Sequence, residues 1–591
     1  MRMHDDILYP NVWGEKGALF AFSRIDGTTD IDSQLICALH NDGEQRGLLL
    51  HTAIPAELTI EFNGSGPVSY EDEVVAGDIV IFNAISGNST IRCELVAVQN
   101  ETIAIRLRPV CVESGVKVSL SLRMQDAEVH LCPESLTLLS GDSSISLTVV
   151  MGDASVCGDA IIFSPQDGSS LTCILDYQTS RSNTLSFGFV PDIDSIIASR
   201  LQFLNQLPVL STLDPLIKRT FAKCASVQKI NCCTAQRDVP FNWTTPDRWP
   251  HKYMWIWDSA FHALGLRHLA SDWAMDSLRA VVSKIQENGF LPHMMAPDSS
   301  IDSGIIQPLI LAWASWRVYE KTADVSFLKG IYHGVANMLL YDMNIMDTDN
   351  DGLSEWGDKC ASGMDNSPRF DQPIGAAVDL NAFIANDLLY LAKIAETLGM
   401  PGEAAQWMKE RSRLSKLIND KLWDPEIGFY CDLDSEGNRI PLKAVSGFTP
   451  LFAGICSCEQ AETLHAHLTA PVEFWRPFPV PSVAADEPSF SNDMWRGPTW
   501  INYNYMIIEG LIQYSFTDTA FALKQKVVNE IARWYNEDGI IYEYYDSEGA
   551  VSPSMLNRKG HKPSPEGAWP LGICIRDYHW TASLFVDLMM Q

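Results

Sequence analysis

Two short stretches place a carboxylate among aromatic, glycine and turn residues: Gly-Met-Asp-Asn-Ser-Pro-Arg-Phe-Asp at 363–371 and Tyr-Glu-Tyr-Tyr-Asp-Ser-Glu-Gly at 542–549. Between them in the chain lies Trp-Arg-Gly-Pro-Thr-Trp at 495–500. Two carboxyl groups on separate segments, with tryptophans to stack on pyranose faces, suit cleavage of a glycosidic bond. One acid protonates the leaving oxygen, and one base activates water on the opposite face of the ring. Asp365 is the candidate acid and Glu543 the candidate base. The plainer alternatives are a turn aspartate bonded to its own backbone and an exposed glutamate on a short hairpin strand, with Tyr542 and Tyr544 on the other side.

Other segments carry chemistry-bearing residues. Trp495 and Trp500, with Arg496 and Gly497 between them, stand at a helix entrance where Pro498 suits the first turn; they form a ligand wall or part of the core. Trp257 and Asp258 in Trp-Ile-Trp-Asp-Ser-Ala-Phe are a feature of the same type, with Asp258 alternatively a helix cap. Arg369 and Arg496 either pair with a carboxylate on the aglycone or anchor loops through buried salt bridges. His579 beside Trp580 lines a pocket or packs in the core. Asp347, Asp349, Asp351 and Glu355 occupy positions 1, 3, 5 and 9 of a calcium-type loop, with Gly352 at position 6 and the Leu353 carbonyl at 7. Position 12 is Asp358 instead of the bidentate glutamate. A structural Ca²⁺ is expected there, the alternative being an acidic solvated turn. No histidine cluster has metal spacing, and no glycine run forms a phosphate loop.

The elements that must position these residues fall into two kinds. A chain of 591 residues exceeds one ordinary core. Of its 17 tryptophans only Trp13 precedes residue 240. In the first part apolar residues alternate with polar ones at Leu58–Phe62, Val118–Met124 and Ile145–Val149, which marks half-buried antiparallel strands. Many such strands before residue 190 imply a β-sandwich. After Pro191 the period changes to that of helices. Ile196–Leu207 reads as a linker helix. Further candidates are a helix capped by Asp272 and ended by Gly289, then 306–319, 325–343, 380–398, 402–422, 459–468, 499–514, 519–535 and 578–590. Helix pairs joined by long aromatic-rich loops suggest an α/α toroid, with an irregular bundle as the alternative. The expected layout is all-β plus all-α: a sandwich over 1–190, a linker helix over 191–212 and a helical catalytic domain over 213–591.

Net charge of −31 disfavours nucleic acid and anionic membrane and leaves neutral or cationic ligands. The first ten residues have no apolar signal region, and no apolar run reaches the roughly 18 residues of a membrane span. Fourteen cysteines without a framework suit reduced thiols in a cytoplasmic protein.

Five motifs occur together in order: Tyr-Met-Trp-Ile-Trp-Asp-Ser-Ala-Phe, Gly-Met-Asp-Asn-Ser-Pro-Arg, Val-Asp-Leu-Asn at 378–381, Trp-Arg-Gly-Pro-x-Trp, and His-Trp-Thr-Ala at 579–582. Over residues 240–591 the chain resembles glycoside hydrolase family 63 and its relatives, including mannosylglycerate and glucosylglycerate hydrolases. The resemblance implies an (α/α)6 barrel and exo-acting hydrolysis of an α-glycoside with inversion. It also implies Asp365 as general acid, Glu543 as general base, and Trp257, Asp258, Gln307, Trp495 and Trp500 as shapers of the pocket for the terminal sugar. The calcium loop resembles one found in some members. One departure is Glu-Tyr-Tyr where the family often has Glu-Asn-Tyr, which leaves Glu548 as the fallback base. The expected substrate is a terminal α-linked sugar, an α-glucoside, on a neutral oligosaccharide or small glycoside, with no organic cofactor. An inverting phosphorylase and a non-catalytic carbohydrate-binding protein remain as alternatives.

Overall fold

The structure is a computed structural model that describes residues 8–23, 35–52, 55–64, 66–124, 126–165, 168–179, 191–301, 303–562 and 574–591. The N-terminal residues 1–7 read above for a signal, and the boundary at 190, lie outside that set. The chain divides into two compact units. The first holds everything up to Thr234, with Asp247–Lys252 and Ala532–Ile541; the second holds Ala235–Pro246, Tyr253–Ile531 and Tyr542–Gln591. The units thus divide elsewhere than at 190 and 212: the helix over Pro215–Ile230 packs on the strands through Ile230, and two short later segments belong to the first unit as well.

In the first unit, fifteen antiparallel strands among the described residues between Leu19 and Thr179 form a seven-stranded and an eight-stranded sheet. The alternating runs set the register. Leu58, Ile60 and Phe62 lie opposite Leu122, Leu120 and Val118, and Ile145 and Leu147 lie opposite Tyr177 and Leu175. Among the described residues, a chain of rings and the Arg46 guanidinium links the seven-stranded sheet to the eight-stranded one, in which Tyr70 and Phe82 lie on neighbouring strands. Phe62 contacts Tyr70 edge-on at 6.4 Å, Tyr70 contacts Phe82 at 5.8 Å, and the Arg46 guanidinium lies 4.1 Å over the Tyr70 ring while pairing with Asp72.

Helix α1 (Ile193–Asn205) begins where the Asp192 side chain accepts from Ser195 N. It is more than a linker: its isoleucines and leucines pack on Val74, Ile79, Ile81, Val96, Ala104 and Ile174 of the eight-stranded sheet. Arg200 on it donates to the Ala97 carbonyl at 2.9 Å. Helix α2 (Pro215–Ile230), capped by Asp214, packs through Ile230 on Leu19 and Ile36.

The second unit contains α3 (Ile256–Leu269), α4 (Ser271–Val282), α5 (Leu311–Thr322), α6 (Val325–Ile345), α7 (Val378–Thr397), α8 (Pro401–Leu417), α9 (Thr449–Phe452), α10 (Cys458–Thr469), α11 (Ile501–Gln513), most of α12 (Thr517–Asp538) and α13 (His579–Met590). Helices α3, α5, α7, α9, α11 and α13 pack each on the next, and α13 returns to α3, so six helices close a ring. Their composition requires it. α13 is buried from His579 to Leu588 and α3 from Ile256 to Arg267, and a helix with apolar residues on every face must be enclosed on every side. Each fully buried Leu or Phe contributes roughly 1.5–3 kcal/mol relative to exposure. Outside the ring, α4, α6 and α8 cover α3, α5 and α7. Highly charged α8 buries only Ala404 and Leu414.

Two polar devices brace the ring. Asp387 on α7 accepts from Ala312 N and Trp313 N at 2.9 and 3.0 Å, filling the bare amides at the start of α5. At the C-terminal ends, Asp587 of α13 takes Arg267 at 2.7 Å and His268 at 2.8 Å from α3, and the Tyr505 hydroxyl at 2.6 Å from α11. Two sequence expectations about α4 do not hold. Its cap position is Ala270 with no side-chain bond, leaving Asp272 in the first turn. Gly289 closes a later turn on Gln286, so Ile285 lies beyond the helix.

Candidate active site

The candidate site residues lie where segments run into the N-terminal ends of the inner helices. Trp257 and Asp258 open α3, Gln307 precedes α5, Asp365 precedes α7, the 495–500 segment precedes α11, Glu543 lies upstream of α13, and Trp580 opens α13. The helix dipoles put partial positive charge at that end of the barrel.

Asp365 is held in a loop that Gly363 presses against a tryptophan. Gly363 has φ +71°, and a Cβ there would fall 2.3 Å from the Trp257 ring, so only glycine lets the loop lie so close. Asp365 is partly exposed and pairs through Oδ2 with Lys559 Nζ at 2.5 Å. Beside it stands His293, whose imidazole burial pushes down to about 4 against the opposing charge of Asp365. His293 is therefore a neutral hydrogen-bonding group at ordinary pH, with Nδ1 bonded to Ser303 Oγ.

Glu543 is buried. Its Oε2 pairs with Arg558 and accepts from Ile575 N at 3.3 Å. The segment around it is not a hairpin strand. Single bridges join Thr499 to Tyr545 and Tyr542 to Arg576, and Tyr542, Tyr544 and Tyr545 are all buried. Glu548, the fallback base, is held instead by Arg476 through two bonds of 2.8 Å.

The tryptophans converge. Trp495 and Trp500 stack at 3.6 Å and 4°. Trp500 contacts Tyr544 at 4.8 Å and Trp580 at 5.8 Å, and Trp257 contacts Trp580 at 5.3 Å and Trp495 at 6.4 Å. Among the described residues, the Nε1–H groups of Trp495 and Trp580 are buried without an acceptor. A buried donor left unpaired costs about 1–3 kcal/mol, so these two are suited to meeting a ligand's oxygens.

Several sequence candidates are bonded to neighbouring residues of the site. Gln307 Oε1 accepts from Trp257 N at 3.1 Å, satisfying an amide at the start of α3. Asp258 lies inside the first turn of α3 and is not its cap; it accepts from the Tyr578 hydroxyl at 3.2 Å. Arg369 is buried and fully occupied: it grips Asp379 at 2.5 and 2.9 Å and Asp432 at 2.7 and 2.7 Å. That geometry makes it an anchor of the 363–371 loop and corrects its placement among ligand-binding residues. Arg496 pairs with Asp371 at 2.9 and 2.5 Å and donates to the Asn366 carbonyl.

In the calcium-type loop, the carboxylates of Asp347, Asp349 and Asp351 come within 4.8 Å of one another. Asp347 Oδ1 is buried without a hydrogen-bond partner. Glu355 does not join the three within that spacing. Glu355 bonds to the Thr348 hydroxyl, the Leu353 N–H donates to Asp351 Oδ1, and Asp358 caps the following turn through Cys360 N. Lys421 Nζ lies 2.7 Å from Asp351. The three aspartates fit a hard cation; Glu355 and Asp358 are otherwise engaged.

Sequence reasoning missed four residues that tie the site together. Asn366 Oδ1 accepts from Trp495 N at 3.0 Å. Asp493 Oδ2 accepts from Gly560 N at 2.7 Å. Arg558 and Lys559, adjacent in the chain, pair with Glu543 and Asp365 respectively. Asn366 follows the candidate acid directly and was open to suspicion; the pair at 558–559 looks like any polar turn.

Residues 251–581 match the domain family described as "Mannosylglycerate hydrolase MGH1-like glycoside hydrolase domain". A mannosylglycerate hydrolase of Rubrobacter radiotolerans is 26% identical over 453 residues, covering 60% of this chain and 96% of that protein. A crystal structure of the family 63 mannosylglycerate hydrolase of Thermus thermophilus in complex with glucose is 25% identical. It superposes with a TM-score of 0.51 over 62% of this chain and 99% of that one. A bacterial glucoamylase complexed with acarbose shares the fold across 98% of this chain and 95% of its own, at a TM-score of 0.60 and 13% identity. The two-sheet unit followed by a ring of paired helices, the ordered motifs and these matches agree: the chain belongs to glycoside hydrolase family 63, in its mannosylglycerate hydrolase-like branch.

Proposed function

We propose that the chain is an inverting, exo-acting hydrolase that removes a terminal α-linked sugar, an α-glucoside, from an oligosaccharide or small glycoside. The observation that carries the reading is the link between the two carboxylates: consecutive residues Arg558 and Lys559 each hold one of them. In the reaction, Asp365 gives its proton to the glycosidic oxygen as the bond from that oxygen to C1 breaks, and the aglycone leaves as an alcohol. Glu543 takes a proton from water on the opposite face of the sugar, and the oxygen of that water forms the new bond to C1. The carboxyls of such a pair stand about 6.5–9.5 Å apart to leave room for the water. The tryptophan cluster, its rings buried against one another, forms the floor behind the sugar, and the two unpaired indole N–H groups are the donors it holds in reserve for the sugar's hydroxyls.

A bound calcium at Asp347, Asp349 and Asp351 and a cytoplasmic setting belong to the same reading. The second is supported by fourteen cysteines that are all free thiols. The relatives' names extend the substrate set to small glycosides of glycerate.

The test is a panel of α-linked disaccharides and glycosylglycerates followed by proton NMR. The β-anomer is expected to form first. First appearance of the α-anomer would mean retention, sugar phosphate formed only with added phosphate would mean a phosphorylase, and binding without release would mean a binding protein.

A further inference from the structure

Residues 493–495 are bonded to three segments at once. Trp495 N donates to Asn366 Oδ1 at 3.0 Å, and Asn366 Nδ2 donates to the Asp493 carbonyl at 3.4 Å, so both flanks of Met494 are tied to the loop of Asp365. Met494 N donates to the Asn557 carbonyl at 3.2 Å. That carbonyl also accepts from the Tyr544 hydroxyl at 2.9 Å, and Asn557 directly precedes Arg558, which holds Glu543. The Met494 carbonyl accepts from Trp500 Nε1 at 2.9 Å. One backbone angle allows all of these bonds. Met494 has φ +46°, in the left-handed region that an L side chain adopts only at a cost. This angle is the torsion between the residue's own N–H and its own C=O. Returning it to an ordinary helical value would turn one against the other by roughly 100°, and the bonds to Asn557 and Trp500 could not both survive. Backbone strain of this kind persists where the surroundings over-determine it, and it concentrates at functional sites.

We infer that Met494 is a positioning residue: its left-handed turn sets the Asp365 loop at its distance from the Glu543 segment. The inference rests on reading those two carboxylates as acid and base. Such a pair works only within a separation of about 6.5–9.5 Å, which admits the sugar and one water. Asn366 follows Asp365 in the chain, so a shift of Asn366 is a shift of the acid. Asn557 precedes Arg558, so a shift of Asn557 moves the guanidinium on Glu543. Met494 is the peptide unit between them, bonded through Asn557 to the base side and through its two neighbours to the acid side. Its carbonyl on Trp500 fixes the same turn to the aromatic floor. Relaxing the turn frees one side from the other, and the lost alignment falls on the chemical step.

The test compares Met494→Leu, Met494→Val and Met494→Gly in the full chain. Leucine conserves volume and meets the same left-handed cost as methionine. Valine keeps a buried aliphatic group, but its β-branch disfavours the left-handed conformation. Glycine loses the side chain and takes the turn freely. On an α-glucoside, Met494→Val is expected to lose about 10²-fold in kcat with KM within about threefold of wild type. Met494→Leu and Met494→Gly stay within about fivefold of wild-type kcat, although the glycine variant melts lowest. Side-chain packing alone predicts the reverse order, with glycine the worst. Exchange of the Trp500 indole N–H reads the turn without turnover, by NMR of ¹⁵N-tryptophan protein assigned with Trp500→Phe. It is expected to be slow in wild type, Met494→Leu and Met494→Gly and fast in Met494→Val. The inference is overturned if Met494→Val keeps wild-type kcat, if folded Met494→Gly loses as much as Met494→Val, or if valine leaves the indole exchange unchanged. Should Met494→Gly not fold, the contrast between leucine and valine decides. If wild type hydrolyses no α-glycoside, the hydrolase reading fails and the positioning role fails with it. If wild type inverts but the variants do not rank as stated, the Met494 inference alone fails.

Discussion

Trp495 N donates to Asn366 Oδ1 at 3.0 Å, so the residue after the candidate acid fixes the backbone of the tryptophan segment. The Asn366 carbonyl also takes a bond from Arg496. One asparagine thereby sets the acid loop against the aromatic wall. Asn366→Ala is expected to lower kcat about 10–10²-fold, since small misplacement of reacting groups is costly, while unfolding free energy falls by only about 1–2 kcal/mol. Steady-state kinetics beside thermal melting checks both. Unchanged kcat would mean that Asn366 does not position Asp365.

Arg369 tests anchoring against ligand binding. Its removal leaves Asp379 and Asp432 buried without their cation, and breaking a buried pair in this way costs about 3–5 kcal/mol. Arg369→Met is expected to melt far below wild type or fail to fold. Normal stability with a raised KM would return Arg369 to the ligand wall.

Burial pushes the Asp342 carboxyl on α6 up to about 8, and its Oδ1 has no hydrogen-bond partner. From the ordinary value of 3.8 up to about 8, the folded chain keeps a proton that the unfolded chain releases. This group's contribution is therefore fully present below about pH 4 and is lost as pH rises through 8. Asp342→Asn is expected to stabilise the protein, by about 1 kcal/mol or more beyond its effect at pH 5 when measured at pH 8. Melting curves of both proteins at the two pH values measure it. An effect independent of pH would contradict the buried-proton account.

Calcium added to chelator-treated protein is expected to raise the melting temperature and to release heat, with Asp347→Asn abolishing both. Binding must displace Lys421 from Asp351, so Lys421→Met is expected to tighten it. No heat and no shift would leave the three aspartates as an acidic turn.

How much was legible in the sequence depended on whether a residue's role was local. Alternation at Leu58–Phe62 foretold a strand, because its period dictates which face is buried, whereas 578–590 was legible as a helix but not as a member of the inner ring. The tryptophan motifs were visible because aromatic and glycine residues cluster where a loop meets a helix. Arg369 was not settled, since one of its partners, Asp432, lies 63 residues away. Lys559 was missed because a lysine between arginine and glycine reads as solvated until the fold brings Asp365 to it. The unit boundary was misplaced because Asp247–Lys252 and Ala532–Ile541 join the first unit across long stretches of chain.

The opposed roles of Asp365 and Glu543 are separated most directly by an α-glycosyl fluoride of the accepted sugar, whose leaving group needs no proton. Asp365→Asn is expected to lose about 10³-fold or more on the natural α-glycoside yet stay within about tenfold of wild type on the fluoride, whereas Glu543→Gln loses about 10³-fold on both. Equal losses on both substrates for Asp365→Asn, or retained fluoride hydrolysis in Glu543→Gln, would contradict the assignment of acid and base.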